Sequence, residues 1–293
     1  MELIRTFLFT PGNNQIRVEK AYGLGADAVI LDLEDAVAVS EKKAARQMVK
    51  AVLAKPRNAS TYVRVNSLTT DFFYGDLVEV IQPGLDGIIL PKSETAGDVR
   101  KVDWLISLLE QESGLPAGKI DLIPLVESAA GVLNAKEIAA TCSRVSRLAF
   151  GAMDYTLDIG TSCSKAGSEL FYARAQLVAA SRAAGIQPPV DTVYPDIRDL
   201  DGLLAETQTV KQLGFFGKMV IHPNQIDPVN KVFSPTEEEI AFASKVAAAF
   251  DQAEAQGTAS IQLEGKFIDY PIAMRAKRAL QLAAAIAAKK PKE

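Results

Sequence analysis

Acidic residues fall at the ends of several β-like runs, a placement that could gather carboxylates around a divalent cation. The clearest cases are DAVILDLEDAV, with Asp32, Glu34 and Asp35, IDLIPLVESAAG, with Glu127, and RLAFGAMDY, with Asp154. Each run is apolar and breaks into a polar turn before a helical pattern. Carboxylates brought to one mouth repel each other, and a bound cation is the simplest way to hold them together. Glu127 and Asp154 end consecutive runs. Neighbouring strands lie roughly 4.8 Å apart, so both carboxylates can reach one ion. Water and substrate would complete the shell, as is common for Mg2+. The competing reading makes each a carboxylate at a helix N-terminus, stabilised by the helix dipole.

Alternation points Asp32 and Glu34 to one face and Asp35 to the other. A buried carboxylate needs a partner, and Lys42, Arg46 or Arg64 could serve. A supporting role for these three acids is expected, rather than direct metal ligation. Arg64, in TYVRVN, could grip a substrate carboxylate in bidentate fashion. It could equally pair with Asp32 or Glu34, and the two roles are compatible. Lys92, in GIILPKSE, could form a Schiff base with a carbonyl substrate, or be a surface or helix-start lysine. His222 is the only histidine, so any Ser–His or Cys–His site must be built on it. No nucleophile elbow is present. At the end of the last run, His222 fits a structural or substrate-edge role.

Eight short runs can supply the strands: residues 5–9, 28–33, 61–66, 87–91, 121–126, 147–151, a weak 189–194, and 218–222. Helical patterns separate most of them. Ser40 is placed to cap the helix after the second run. Thr95 with Asp98 is placed to cap the one after the fourth. Gly114, Gly185 and Gly214 stand where left-handed helix ends need glycine. Such alternation predicts an α/β fold, a (β/α)8 TIM barrel in which strand ends converge on one mouth. An open doubly wound sheet is the runner-up, but no Gly-rich phosphate fingerprint follows the first run. The expected division is a barrel domain over residues 1–232 and a C-terminal helical lid or oligomer-contact segment over 233–293. In that segment Ser234, Pro235 and Glu237 read as cap, first helical residue and capping-box partner. A hairpin-like stretch and an Ala-rich amphipathic helix follow.

The apolar share of 48% with 23% charged residues is ordinary for a globular chain of 293 residues. A formal charge of −4 argues against a nucleic-acid footprint, and the basic AAKKPKE end reads as a solvated tail. Cys142 and Cys163 cannot form a disulfide scaffold, which fits a reduced cytoplasmic setting. No stretch reaches the roughly 18 apolar residues of a membrane span, and the N-terminus reads as a strand rather than a signal peptide.

Taken in order, LFTPG, DAVILDLEDAV, RVN, ILPK, VESAAG, FGAMDY and ELFYAR resemble the citrate lyase beta subunit family. VDTVYPD, GFFGKMVIHPNQI and EGKFIDYP continue the match to about residue 270. That family groups with malyl-CoA and citramalyl-CoA lyases in the HpcH/HpaI aldolase superfamily. The resemblance implies a TIM barrel with Mg2+ on Glu127 and Asp154, and substrate contacts from Arg64 and Glu127. It implies a thioester substrate carried on coenzyme A or an acyl carrier protein. It further implies a homo-oligomer, a trimer or hexamer, in which the lid of one subunit closes over its neighbour and brings an acid matching Asp269. Backbone N–H groups of Gly151, Ala152 and Met153 could bind the substrate carboxylate. The expected reaction is cleavage or formation of a 3-hydroxy-dicarboxylic acyl-CoA, such as malyl-CoA or citramalyl-CoA, with acetyl-CoA and a 2-keto acid as products. A citryl-acyl carrier protein lyase subunit is the alternative. A Schiff-base aldolase on Lys92 and a non-catalytic binder of CoA esters are alternatives of another class.

Overall fold

The computed structural model describes residues 3–289, so the last four residues of the basic tail lie outside it. The chain divides into two compact units, one spanning Ile4–Val229 and one built from Asn230 onward with Leu3. No helix of the described residues is long and apolar enough to cross a membrane.

The first unit is a parallel sheet of seven strands: β1 (Thr6–Pro11), β2 (Ala28–Asp32), β3 (Ser60–Arg64), β4 (Gly87–Leu90), β5 (Asp121–Val126), β6 (Ala149–Phe150) and β7 (Lys218–Val220). Their order is β6-β5-β4-β3-β2-β1-β7. Parallel neighbours cannot be joined by a tight turn, so a crossover must return the chain. Helices Gln15–Ala21, Lys42–Leu53, Phe73–Val80 and Ala96–Glu112 make the returns between the first five strands. Covered on both sides, β2 and β4 are buried at every position, as the continuous apolar runs require.

One buried cluster takes Phe7 from β1, Ile30 from β2, Tyr62 from β3, Ile89 from β4, Leu125 from β5, Ala149 from β6 and Met219 from β7. Both edge strands contribute, so the sheet is curled around this core. The weak seventh run is not a regular strand. It makes isolated parallel bridges, Ala149 to Val190 and Asp191 to Lys218, between the two edges.

Charge holds that segment in place. Val190 joins the core, while Asp191 is fully buried and paired with Arg174 and Lys218. Arg174 Nε lies 2.9 Å from Asp191 Oδ1, and Lys218 Nζ lies 2.6 Å from Oδ2. Glu206 pairs with both cations, at 3.2 and 2.6 Å. Burial opposes the Asp191 charge, but Lys218 and then Arg174 outweigh it and hold the carboxyl below its usual range. The ion cluster thus joins β7 to the helices Phe171–Ala183 and Leu200–Leu213.

The second unit packs the helix Glu237–Ala255 against the helix Tyr270–Lys289, with a hairpin of β8 (Ser260–Leu263) and β9 (Lys266–Asp269) between them in sequence. Val246, Phe250, Ile268, Ala273 and Ala276 form its core. The hairpin turn, Glu264–Gly265, has positive φ at both residues, which matches the strand twist.

Two expected caps are corrected. Thr236 and Glu239 form the capping box, two residues after the positions read from sequence. Ser234 instead donates to the carbonyl of Asn230 at the end of the preceding helix. Ser40 lies inside a short 3-10 turn, Val39–Glu41, and Glu41 precedes the helix without a side-chain cap. The Thr95 cap is as expected, accepting the Asp98 N–H. Gly114, Gly185 and Gly214 all have positive φ.

Asp191→Asn removes the charge that two buried cations share. A loss of about 3–5 kcal/mol in unfolding free energy is expected from urea titration. A loss below about 1 kcal/mol would show that the cluster does not hold the segment.

Candidate active site

Side chains alternate along a strand, so the next residue on the core-facing side lies one layer above the core. Above Phe7, Ile30, Tyr62 and Leu125 that layer is Phe9, Asp32, Arg64 and Glu127. Gly151 follows Ala149, Thr192 follows Val190 and Ile221 follows Met219. These residues, joined by Asp35, Ala36, Met153, Asp154 and Val193, line one cavity of about 380 Å³ at the carboxyl ends of the strands. The expected mouth therefore exists.

Asp32 and Arg64 are register partners on β2 and β3. Arg64 donates to both Asp32 oxygens, each at 2.7 Å, through Nε and Nη2. Its Nη1 lies 3.1 Å from Glu34 and 3.5 Å from Asp35, and the guanidinium stacks over Phe9 at 4.8 Å. Burial opposes its charge, but Asp32, Glu34 and Asp35 outweigh that and raise its pKa. Arg64 is thus the partner of these acids. Lys42 instead donates to the carbonyls of Leu33 and Glu34, and Arg46 pairs with Asp76.

Glu34 pairs with Arg64 on the side of Asp32, whereas Asp35 does not take the opposite face. Asp32 accepts the N–H groups of Glu34 and Ala36, so the chain curls at once after β2. That curl brings Asp35 to the cavity wall. Glu34 lies buried beside it, in ion pairs with Arg64 and, at 3.4 Å, with Lys92. Burial, opposed by Arg64 and reinforced by Asp35, pushes Glu34 up to about 7.

The β5–β6 register sets Val126 opposite Phe150, so Glu127 and Gly151 meet just past the ladder. A Cβ on Gly151 would stand 2.6 Å from Glu127 Oε2 and 2.8 Å from its Cβ, so only glycine leaves the carboxylate its place. Oε1 of Glu127 accepts the Lys92 N–H at 2.8 Å. Burial first, then repulsion by Glu34 and Asp154, pushes the Glu127 carboxyl up to about 8 against the pull of the Lys92 amide. Asp154 stands in the first turn of the helix Ala152–Asp158. No cluster of three acidic, histidine or cysteine side chains able to hold a metal occurs among the described residues. Glu127 and Asp154 are then two hard oxygen donors whose repulsion a divalent cation would relieve, leaving most of its shell open.

Two of the three turn amides are already committed. Gly151 N–H donates to the Val126 carbonyl and Ala152 N–H to Thr192. Lys92 lies outside the cavity wall, and its ammonium is held protonated beside Glu34, its pKa raised against the opposing effect of burial. A Schiff-base lysine needs the opposite shift. His222 caps the turn Pro223–Gln225, the structural role. Asp269 belongs to the second unit, where it ends β9 and accepts the Ile272 N–H at the start of the last helix. Sequence reading missed Phe9, Thr192, Val193, Met219 and Ile221, which the two-residue alternation from the core could have supplied.

A curled parallel sheet with an acid-lined mouth at its strand ends places the chain in the class of TIM-barrel-type folds. Residues 5–223 match the family model described as HpcH/HpaI aldolase/citrate lyase, and residues 169–283 match a carbon–carbon bond lyase of the TIM-barrel fold. The chain belongs to the HpcH/HpaI aldolase/citrate lyase family, as its ordered motifs imply. It is 43% identical to citrate lyase subunit beta of Leuconostoc mesenteroides, over 96% of this chain and 93% of that one. It is 33% identical to the mitochondrial citramalyl-CoA lyase of Rattus norvegicus, over 96% and 86%. Among solved structures, CitE of Mycobacterium tuberculosis in complex with magnesium, acetoacetate and coenzyme A is 31% identical. That match covers 97% of this chain and 100% of that one, with a TM-score of 0.79.

The elevated Glu127 pKa has a consequence for stability. The unfolded chain releases this proton near 4.5 and the folded chain near 8, so the folded state holds the extra proton between them. Stability from this group is lost as pH rises through that window. In metal-free buffer the wild-type Tm should fall between about pH 5 and pH 8, and fall less in Glu127→Gln. Equal slopes for the two proteins would contradict the assignment.

Proposed function

We propose that this protein is a divalent-cation-dependent carbon–carbon lyase acting on the thioester of a 3-hydroxy-dicarboxylic acid, releasing an acetyl thioester and a 2-keto acid. The observation that carries it is the Glu127–Asp154 pair, two mutually repelling oxygen donors at a cavity whose third wall is an arginine. The family, and a relative crystallised with magnesium, acetoacetate and coenzyme A, support Mg2+ as the ion and a CoA thioester as the substrate class. Bound there, the ion would act as a Lewis acid on the substrate's oxygens.

The chain's own residues supply the rest. Arg64 holds the distal carboxylate through Nη1, displacing Asp35, whose contact is the longest on that guanidinium. Asp32 keeps the guanidinium fork in its plane. The free Met153 N–H of the strand-six turn adds to carboxylate binding. Cleavage breaks the carbon–carbon bond, the hydroxyl loses its proton and the leaving thioester carbon gains one. Asp269 is the proposed donor of that proton. We assign it to a lid, the segment 233–293, that closes over the 1–232 catalytic domain of a neighbouring copy in a trimer or hexamer. Residues 190–191 complete the proposed (β/α)8 ring. The free cysteines agree with a cytoplasmic setting.

A second reading keeps the chemistry and changes the carrier. The higher identity to citrate lyase subunit beta than to the CoA lyase favours a citryl thioester on an acyl carrier protein. Purified protein with Mg2+ and malyl-, citramalyl- or citryl-CoA, followed by keto-acid release, separates the two. Cleavage of a CoA ester supports the free-standing lyase. Cleavage only after addition of a loaded carrier protein supports the second reading.

In either case chelation with EDTA should abolish turnover, and Glu127→Ala should lower kcat/KM by about a hundredfold or more. Unchanged turnover and Mg2+ affinity in Glu127→Ala would end the assignment.

A further inference from the structure

Two non-glycine residues among those described have a left-handed backbone, Lys92 (φ 52°) and Glu264 (φ 48°). The hairpin turn explains Glu264. Lys92 has no such turn to explain it. It follows β4 in an irregular stretch, where glycine would adopt the same conformation without strain. Strain of this kind persists where the surroundings enforce it, and it gathers at functional sites.

Two consecutive peptide N–H groups show what the conformation achieves. Lys92 N–H donates to Glu127 Oε1 at 2.8 Å, and Ser93 N–H donates to the Leu125 carbonyl at 3.2 Å. Both bonds fasten the end of β4 to the end of β5. A return of Lys92 to an ordinary φ and ψ would rotate one or both amides away. The Glu127 carboxylate is thereby fixed from two sides. Oε1 is held by the amide, and Oε2 lies over Gly151, on the strand that leads to Asp154.

The side chain gives a reason for lysine over glycine. Its ammonium lies 3.4 Å from Glu34 Oε1, and neither Glu34 oxygen has a hydrogen bond. Lys92 and Arg64 are the cations paired with that buried acid.

We propose that Lys92 is a positioning residue for the cation site: its left-handed backbone aims the N–H at Glu127 Oε1 and leaves Oε2 as the metal-facing oxygen. This rests on the reading of Glu127 and Asp154 as the ligands, and adds which oxygen is used and what holds it.

The test is calorimetric titration of the full chain with Mg2+ alone, without substrate. Lys92→Gly keeps the N–H and the conformation but removes the ammonium, and should bind Mg2+ within about threefold of wild type. A variant with the α-hydroxy analogue of lysine at position 92 has an ester in place of the Pro91–Lys92 amide. It keeps the ammonium and puts an ester oxygen in place of the N–H donor, and should bind about tenfold or more weakly. Wild-type affinity in the ester variant overturns the proposal, as does a tenfold loss in Lys92→Gly. If the wild-type protein itself fails to bind Mg2+, the metal reading falls and takes this inference with it.

Discussion

Excess negative charge at the mouth of the parallel sheet is the constraint on which the site depends. Five carboxylates, from Asp32, Glu34, Asp35, Glu127 and Asp154, stand there with two cationic side chains, Arg64 and Lys92. Uncompensated charge in a desolvated site is costly, and a protein either pairs it, neutralises it or binds a counter-ion. The first two responses are present, at different residues. Asp32 is paired on both oxygens. Glu34 and Glu127 are pushed toward their neutral forms, to about 7 and about 8. Glu127 and Asp154 form no ion pair with a cationic side chain among the described residues, and the proposed function gives them the third response.

The core beneath explains why this charge can be sustained. Phe7, Ile30, Tyr62, Ile89, Leu125, Ala149 and Met219 fill the layer below. This packing lies beneath the mouth residues, so strain at the mouth is supported by contacts below it. The same two-residue period that builds the core delivers Asp32, Arg64 and Glu127 to the cavity with no additional loop. Position along a strand, rather than distance from the core, separates folding residues from chemical ones.

Much of this was legible in the chain because it follows from periodicity. The runs that became β1–β6, the parallel topology, and the placing of Glu127 just past β5 all follow from apolar alternation and helix signals, whereas Asp154 stands one helical turn beyond β6. Other features depend on contacts that periodicity does not encode. The 189–194 run looked weak because ions on Asp191 replace much of the apolar packing and ladder bonding that mark a strand. Asp35 reached the cavity wall against the alternation because the Asp32 side chain captures two amides and curls the chain. The capping box moved from Ser234 to Thr236 because Ser234 was already bonded to the helix before it. A lysine gives no sign of a left-handed backbone, so the Lys92 amide could not be foreseen.

Lys92 and Gly151 make one arrangement from opposite departures. Gly151 is required because Glu127 lies where a Cβ would be, so the β6 backbone yields space to the carboxylate. Lys92 accepts an unfavourable backbone, so the β4 end yields a donor to the same group. Strands on both sides of β5 thus adapt to a single side chain. Two independent local costs converge on Glu127. On the proposed reading they set the geometry of a ligand oxygen in advance, and preorganised donors lose little on binding.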